Sequence, residues 1–257
     1  MKKLIKNTYS TCMEEANFFL QHPKPKKVLF DHLPKCGGTT ITYYIRSNYP
    51  AKKVFRIDGS QPTASVKTFQ SFPKRVRYRY YCVYGHFADQ LMKLVHPETI
   101  AVTVFRDPVD RIISHYFYVK RRKDHYLHND VISGKIKLED YASSELSVEL
   151  SNWLTAHFSG LSNEEVLKNP EEALDLALHH IANRYELIGF LDHIDIFINH
   201  LKVIAGFRKN FTNKKLNMSK NRIHFNQIPT TTKEIIAENN YLDILLYKKL
   251  RQEYLQV

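Results

Sequence analysis

The sequence predicts an α/β fold: a parallel sheet with flanking helices and a helical C-terminal half. Three observations carry this reading. Apolar runs at 28–30, 80–84, 100–105 and 187–190 are too short for helices and have the length of strands covered on both faces. Residues with helical spacing lie between them, as in strand–helix–strand units. From about 148 onward the helical period dominates. The 257 residues are read as one domain, 1–257, in which 1–26 form an N-terminal helix and an extended lead-in.

Taken in order, residues 10–21 suit a short helix with Ser10 as its cap, and Pro23 and Pro25 force extension after it. Val28-Leu29-Phe30 is the first strand. It runs into Leu33-Pro34-Lys35-Cys36-Gly37-Gly38-Thr39-Thr40, after which Ile41, Tyr44 and Ile45 recur at helical spacing. The strand at 80–84 ends at Gly85-His86, and the one at 100–105 ends at Arg106-Asp107-Pro108. There Asp107 can cap a helix, Pro108 suits its first position, and Ile112, Ile113, Tyr116 and Phe117 supply its apolar face. A last short strand is expected at 187–190. Helices are expected over 148–158, 163–182, 192–205, 232–239 and 241–255, and 208–229, rich in Lys, Asn and Arg, reads as a long basic loop.

Composition narrows the function classes. A 43% hydrophobic content excludes a disordered tail, and eight Gly with ten Pro exclude collagen-like chains. Lys and Arg number 38 against 26 Asp and Glu, a net +12 with 13 His besides. That balance favours an anionic partner: nucleic acid, a phosphorylated cofactor, an acidic glycan or a membrane surface. Cys12, Cys36 and Cys82 contain no C-x-x-C pair, which argues against a disulfide scaffold or zinc site and for a reducing compartment. No apolar run is long enough to span a membrane, and the basic start lacks the apolar stretch of a signal peptide.

Two segments carry chemistry. In the first, Gly37 and Gly38 let backbone amides turn toward a ligand at a helix start, Lys35 adds an ammonium, and Thr39 and Thr40 add hydroxyls. Together they suit a phosphate, although the same residues also make an ordinary strand-to-helix turn. The lysine precedes the glycines, so the spacing is not that of a standard ATP-binding loop. In the second, Arg106 stands where a buried strand ends, and Arg111 and Ser114 share a helix face that could grip another phosphate. Arg106 paired with Asp107 or Asp110 reads equally well as a structural salt bridge.

Together, Pro34-Lys35-Cys36-Gly37-Gly38-Thr39-Thr40 and Arg106-Asp107-Pro108 through Arg111 and Ser114 resemble the two nucleotide signatures of the carbohydrate sulfotransferases that use PAPS, 3′-phosphoadenosine 5′-phosphosulfate. The likeness is nearest to the branch with heparan sulfate 2-O-sulfotransferase. Tyr84-Gly85-His86, Asn152-Trp153-Leu154 with Phe158 and Gly160, and Gly189-Phe190 before Asp192 resemble further elements of that branch. The resemblance implies a P-loop-kinase-like sulfotransferase fold and sulfuryl transfer from PAPS to a carbohydrate hydroxyl, leaving PAP, with no metal. It implies that Lys35, Cys36, Gly37, Gly38, Thr39 and Thr40 hold the 5′ side of the nucleotide and that Arg106 and Ser114 hold the 3′-phosphate. Asn217, Ser219 and Lys220 fall where relatives close a loop over the nucleotide. His86 matches the general base, and Lys35 would also stabilise the leaving oxygen.

One departure is Cys36, where relatives carry a hydroxyl residue. Beside Lys35 at a helix start, its thiol is expected to be acidic and reactive. Arg75, Arg77, Arg79, Arg121, Arg122 and His125 read equally well as solvated surface charge or, with Tyr78, Tyr80 and Tyr126 nearby, as the lining of a groove for an anionic sugar chain. His32 is expected to be structural and His115 to support the second nucleotide helix. A cytoplasmic, bacterial-type enzyme is the expectation, with a truncated Golgi lumenal domain second. The alternatives are a basic nucleic-acid-binding protein, which leaves both loop signatures unexplained, and a nucleotide kinase or hydrolase, which would want Mg²⁺.

Overall fold

A computed structural model describes residues 24–142, 146–211 and 227–255. Strands β1 (Val28–Asp31), β2 (Val54–Arg56), β3 (Cys82–Gly85), β4 (Ile100–Phe105) and β5 (Leu187–Phe190) form one sheet in the order β2-β3-β1-β4-β5. Every pair is parallel. Asp31 lies level with Gly85 on one side and Thr103 on the other, so β3, β1 and β4 end on one rim. After β1 the chain crosses to β2; after β4 it crosses the other way, to β5. These opposed departures open a crevice at the carboxyl ends of β1 and β4, where open parallel sheets bind ligands.

The helices are α1 (Gly38–Ser47), α2 (Pro62–Ser71), α3 (Lys74–Arg77), α4 (Pro108–Arg121), α5 (His128–Ile132), α6 (Trp153–Ser159), α7 (Asn163–Lys168), α8 (Pro170–Arg184), α9 (Ile194–Ala205), α10 (Thr230–Asn239) and α11 (Tyr241–Leu255). Alternate strand residues feed two cores. Leu29, Val83, Ala101 and Phe105 pack with Phe69 of α2, Leu154 and Phe158 of α6, Ile181 of α8 and Leu246 of α11. Val28, Phe30, Val102 and Val104 pack on the other face with Ile41 and Ile45 of α1 and Phe197 and Leu201 of α9. Burial on both faces explains the unbroken apolar run of β4.

Several boundaries differ from the sequence reading. β3 begins at Cys82, because its pairing with β1 starts at the Val28 register. The helix expected over 148–158 starts at Trp153: Val148–Leu150 is a single 3-10 turn and Asn152 adopts a left-handed conformation. The 163–182 helix is two helices, broken at Asn169 (φ −131°, ψ 65°) ahead of Pro170, which cannot donate a backbone hydrogen bond. β2 and α2 lie in a stretch for which the sequence reading offered no element. The helix at 10–21 and most of the 208–229 loop fall outside the described residues.

Candidate active site

Three neighbouring strands bring the candidate residues to the crevice rim. β3 runs into His86, β1 into the Lys35 loop and β4 into Arg106. Adjacent strands lie about 4.8 Å apart, so His86 and Arg106 flank the loop from opposite sides.

The loop is held in an uncommon conformation. Lys35 has φ 65°, in the left-handed region that side chains rarely enter. Arg106, only 7% exposed, secures it: Nη1 donates to the Lys35 carbonyl at 2.9 Å. The rest of the guanidinium engages Asp110, with Nε donating to Oδ2 at 2.6 Å and Nη2 2.5 Å from the same oxygen. Asp107 instead caps α4 by accepting from the Asp110 amide at 3.0 Å. Arg106 is therefore both rim cation and structural tie. Lys35 Nζ lies 4.0 Å from the centre of the Tyr118 ring. Burial, then the charges of Arg106 and Arg121, push the Lys35 ammonium down to about 8.

Gly37 caps α1, whose first turn carries no acidic residue and no side-chain cap. First-turn amides have no acceptor within their own helix, so this end suits an anion. Gly38 is required by packing: a Cβ there would sit 1.7 Å from His32 Nε2. Thr39 is exposed and Thr40 half-buried. Cys36 departs from expectation. Its side chain is 1% exposed and joins the core with Leu29, Leu33 and Phe105, while its amide donates to the Leu33 carbonyl at 3.3 Å. Burial raises the thiol to about 11, outweighing the charges of Arg111 and Arg106. Cys36 is a packing residue and turns away from the crevice.

On the other side of the loop, Gly85 has φ 140°, and a Cβ there would lie 2.6 Å from Ile57 Cβ. Only glycine carries the chain through that gap to His86. The His86 ring stacks on His32, centroids 4.5 Å apart, and its Nδ1 lies 2.7 Å from the His32 carbonyl oxygen. A carbonyl only accepts, so Nδ1 is the donor of this contact, and in the neutral ring Nε2 is the acceptor. Burial and the neighbouring His86 hold His32 neutral, at about 3.

Ser114 is half-buried on α4, and its hydroxyl has no hydrogen-bond partner among the described residues. Arg111, read from the sequence as its companion, is elsewhere. It is 1% exposed, donates from Nη2 to the Glu149 carbonyl at 3.0 Å and lies 3.8 Å from Asp243 Oδ2. Asp243 in turn accepts from the amides of Leu154 and Thr155 at the start of α6. Arg111 thus binds the sheet layer to the helical half, a role its three-residue spacing from Ser114 concealed. His115 supports α4, as expected: it is buried, its Nδ1 lies 2.7 Å from the Tyr141 hydroxyl, and burial lowers it to about 3.

Arg121, Arg122 and His125 gather near Lys35. Arg122 and His125 approach Tyr118, while His125 stacks on the exposed Tyr126 at 4.7 Å. Arg122 is engaged by Asp124, with hydrogen bonds of 2.8 and 2.6 Å. Arg75, Arg77 and Arg79 do not join them. They precede β3, at the opposite end of the sheet, where Lys27 reaches the Tyr78 carbonyl and Tyr78 packs on His96. Asn217, Ser219 and Lys220 lie outside the described residues. Tyr118, beneath the lysine, and Leu191, 2.4 Å from a Cβ built at Gly37, were not singled out from sequence, since both contacts cross between elements.

Among the described residues, no helix is long and apolar enough to cross a membrane. A sequence model described as "Sulfotransferase family" matches residues 18–249, which include every residue of this crevice. No curated protein matches the chain.

Proposed function

The chain belongs to the sulfotransferase family, and from that premise we propose that it transfers a sulfuryl group from PAPS to a hydroxyl of an anionic carbohydrate, with His86 as general base. The observation that carries this reading is the His86 Nδ1 contact to the His32 carbonyl at 2.7 Å, which leaves Nε2 to accept a proton at the rim. An acceptor hydroxyl beside Nε2 loses its proton there as its oxygen bonds to sulfur. The bond from sulfur to the phosphate oxygen breaks and PAP departs.

The residues suit an anionic nucleotide. The uncapped first turn of α1, the Lys35 ammonium and the Ser114 hydroxyl offer donors, and Arg106 adds charge at the rim. PAPS supplies the activated sulfuryl group and a phosphate leaving group. Lys35 offsets the charge that develops between them, and its stack on Tyr118 restricts where the ammonium can go. On the acceptor side, the Tyr126–His125 stack, with the Arg122 charge acting on His125, suits a sugar ring bearing acidic groups.

Calorimetry with PAP, ATP and ADP, paired with sulfate transfer to acidic polysaccharides, tests the reading. PAP should bind most tightly, and Lys35→Ala and Arg106→Ala should each weaken it by about 1.5–3 kcal/mol. His86→Ala should lose roughly 10²–10⁴-fold in kcat while keeping PAP affinity. Near-normal turnover in His86→Ala removes the base assignment; tighter binding of ATP than of PAP removes the donor.

A further inference from the structure

Asp31 closes β1 with its side chain turned to the face beneath α6 and α8, away from the crevice. It is 1% exposed. Its Oδ2 accepts a hydrogen bond from the Tyr185 hydroxyl at 2.7 Å and lies 3.3 Å from His157 Nε2 on α6. Among the described residues its Oδ1 is buried without a partner, and so is Oδ1 of Asp89, in the 3-10 turn Ala88–Leu91 just after His86. Ligand atoms of Asp31, Asp89 and His157 all lie within 4.8 Å of one another. Buried carboxylate oxygens almost always have a donor or a cation beside them. Here two lack one, next to a single imidazole.

We propose that Asp31, Asp89 and His157 bind one divalent first-row transition cation, of the zinc or manganese class, which ties β1, the turn after His86 and α6 together. The donor set selects the class. Two carboxylates and an imidazole suit zinc or manganese, whereas magnesium and calcium prefer oxygen alone and copper(I) prefers sulfur. Tetrahedral bonds of about 2.0–2.2 Å set ligand atoms about 3.3–3.6 Å apart, so the three side chains, whose ligand atoms lie within 4.8 Å of one another, draw in by up to about 1 Å to close on the cation. The Tyr185 hydroxyl holds the Asp31 carboxylate from behind, as outer partners of metal sites do. The ligands stand at 31, 89 and 157, so no short spacing announces them, and the sequence reading of no metal followed from that.

The test uses the full chain, stripped with chelator and dialysed against Zn²⁺, Mn²⁺, Mg²⁺ or Ca²⁺. Zinc or manganese should be retained at about one equivalent, and magnesium and calcium should not. Melting should rise by roughly 5–10 °C at about 100 times Kd. Asp89→Asn and His157→Gln should abolish both retention and shift. Co²⁺ added to the wild-type chain should give visible ligand-field bands that zinc displaces, a reading independent of whether the variants fold. Absence of retention, shift and bands overturns the proposal, the two aspartates then sharing a proton. A response that survives both substitutions also overturns it, as that metal would sit on surface histidines.

Discussion

Gly38→Ala tests how tightly the Lys35 loop and His86 are coupled. In an open helical site this change stabilises, by about 0.5–1 kcal/mol from backbone entropy. Here the new Cβ would lie 1.7 Å from His32 Nε2 and 1.9 Å from its Cδ2, inside any real contact distance. His32 cannot swing away freely. Its ring is stacked on Phe30 (centroids 5.8 Å) and on His86 (4.5 Å), and its carbonyl receives the His86 Nδ1 proton. Overpacking a constrained site costs about 1–3 kcal/mol, so the clash outweighs the entropy gain. Melting should fall by roughly 2–4 °C per kcal/mol of net loss. Moving His32 by more than about 1 Å carries His86 with it, and misplacement on that scale costs about 10²-fold in kcat. Thermal denaturation and turnover on one preparation read both effects. His32→Ala opens the space, so Gly38→Ala should cost much less in that background, a coupling that a double-mutant cycle isolates. A Gly38→Ala protein as stable and as active as wild type would refute the argument.

Three further outcomes follow from the crevice. Lys35, lowered to about 8 by burial and by the charges of Arg106 and Arg121, is charged below that pH and neutral above it, so PAP affinity should hold to about pH 8 and then fall by up to about tenfold per unit, whereas Lys35→Arg should stay flat. Titrations from pH 6.5 to about 9.5 check this, and an affinity that rises across that window would contradict it. Cys36, raised to about 11 by burial, should resist alkylating reagents in the folded chain with or without PAP, and rapid modification blocked by PAP would place its thiol in the crevice after all. Arg111→Leu leaves Asp243 buried without its cation and should cost about 3–5 kcal/mol in denaturant melts, while PAP affinity of the folded fraction stays near wild type.

Much of the site was legible in the chain because local rules suffice for it. A short apolar run, a glycine turn and a helical period identify each strand-to-helix joint. Such joints in a parallel sheet gather at the carboxyl rim, which sets Lys35 and Arg106 side by side; His86 was singled out by the resemblance to the sulfotransferases rather than by its place at a strand end. What the sequence alone determined was therefore the α/β class and the order of its strand-to-helix joints. The tertiary structure decided which way side chains face. Arg111 and Ser114 share a helical face by spacing, yet Asp243, far along the chain, draws the guanidinium into the helical half. Cys36 occupies a helix start that would favour a thiolate, but the loop turns its sulfur into the core, and desolvation exceeds every nearby positive charge. Arg75, Arg77 and Arg79 precede β3 while His86 follows it, so the strand itself holds them at the other end of the sheet. Asp31 was not singled out from sequence; its meeting with Asp89 and His157 depends on β1, a turn and α6 packing around one buried point. Periodicity describes one element at a time, and these outcomes are set by which distant elements it packs against.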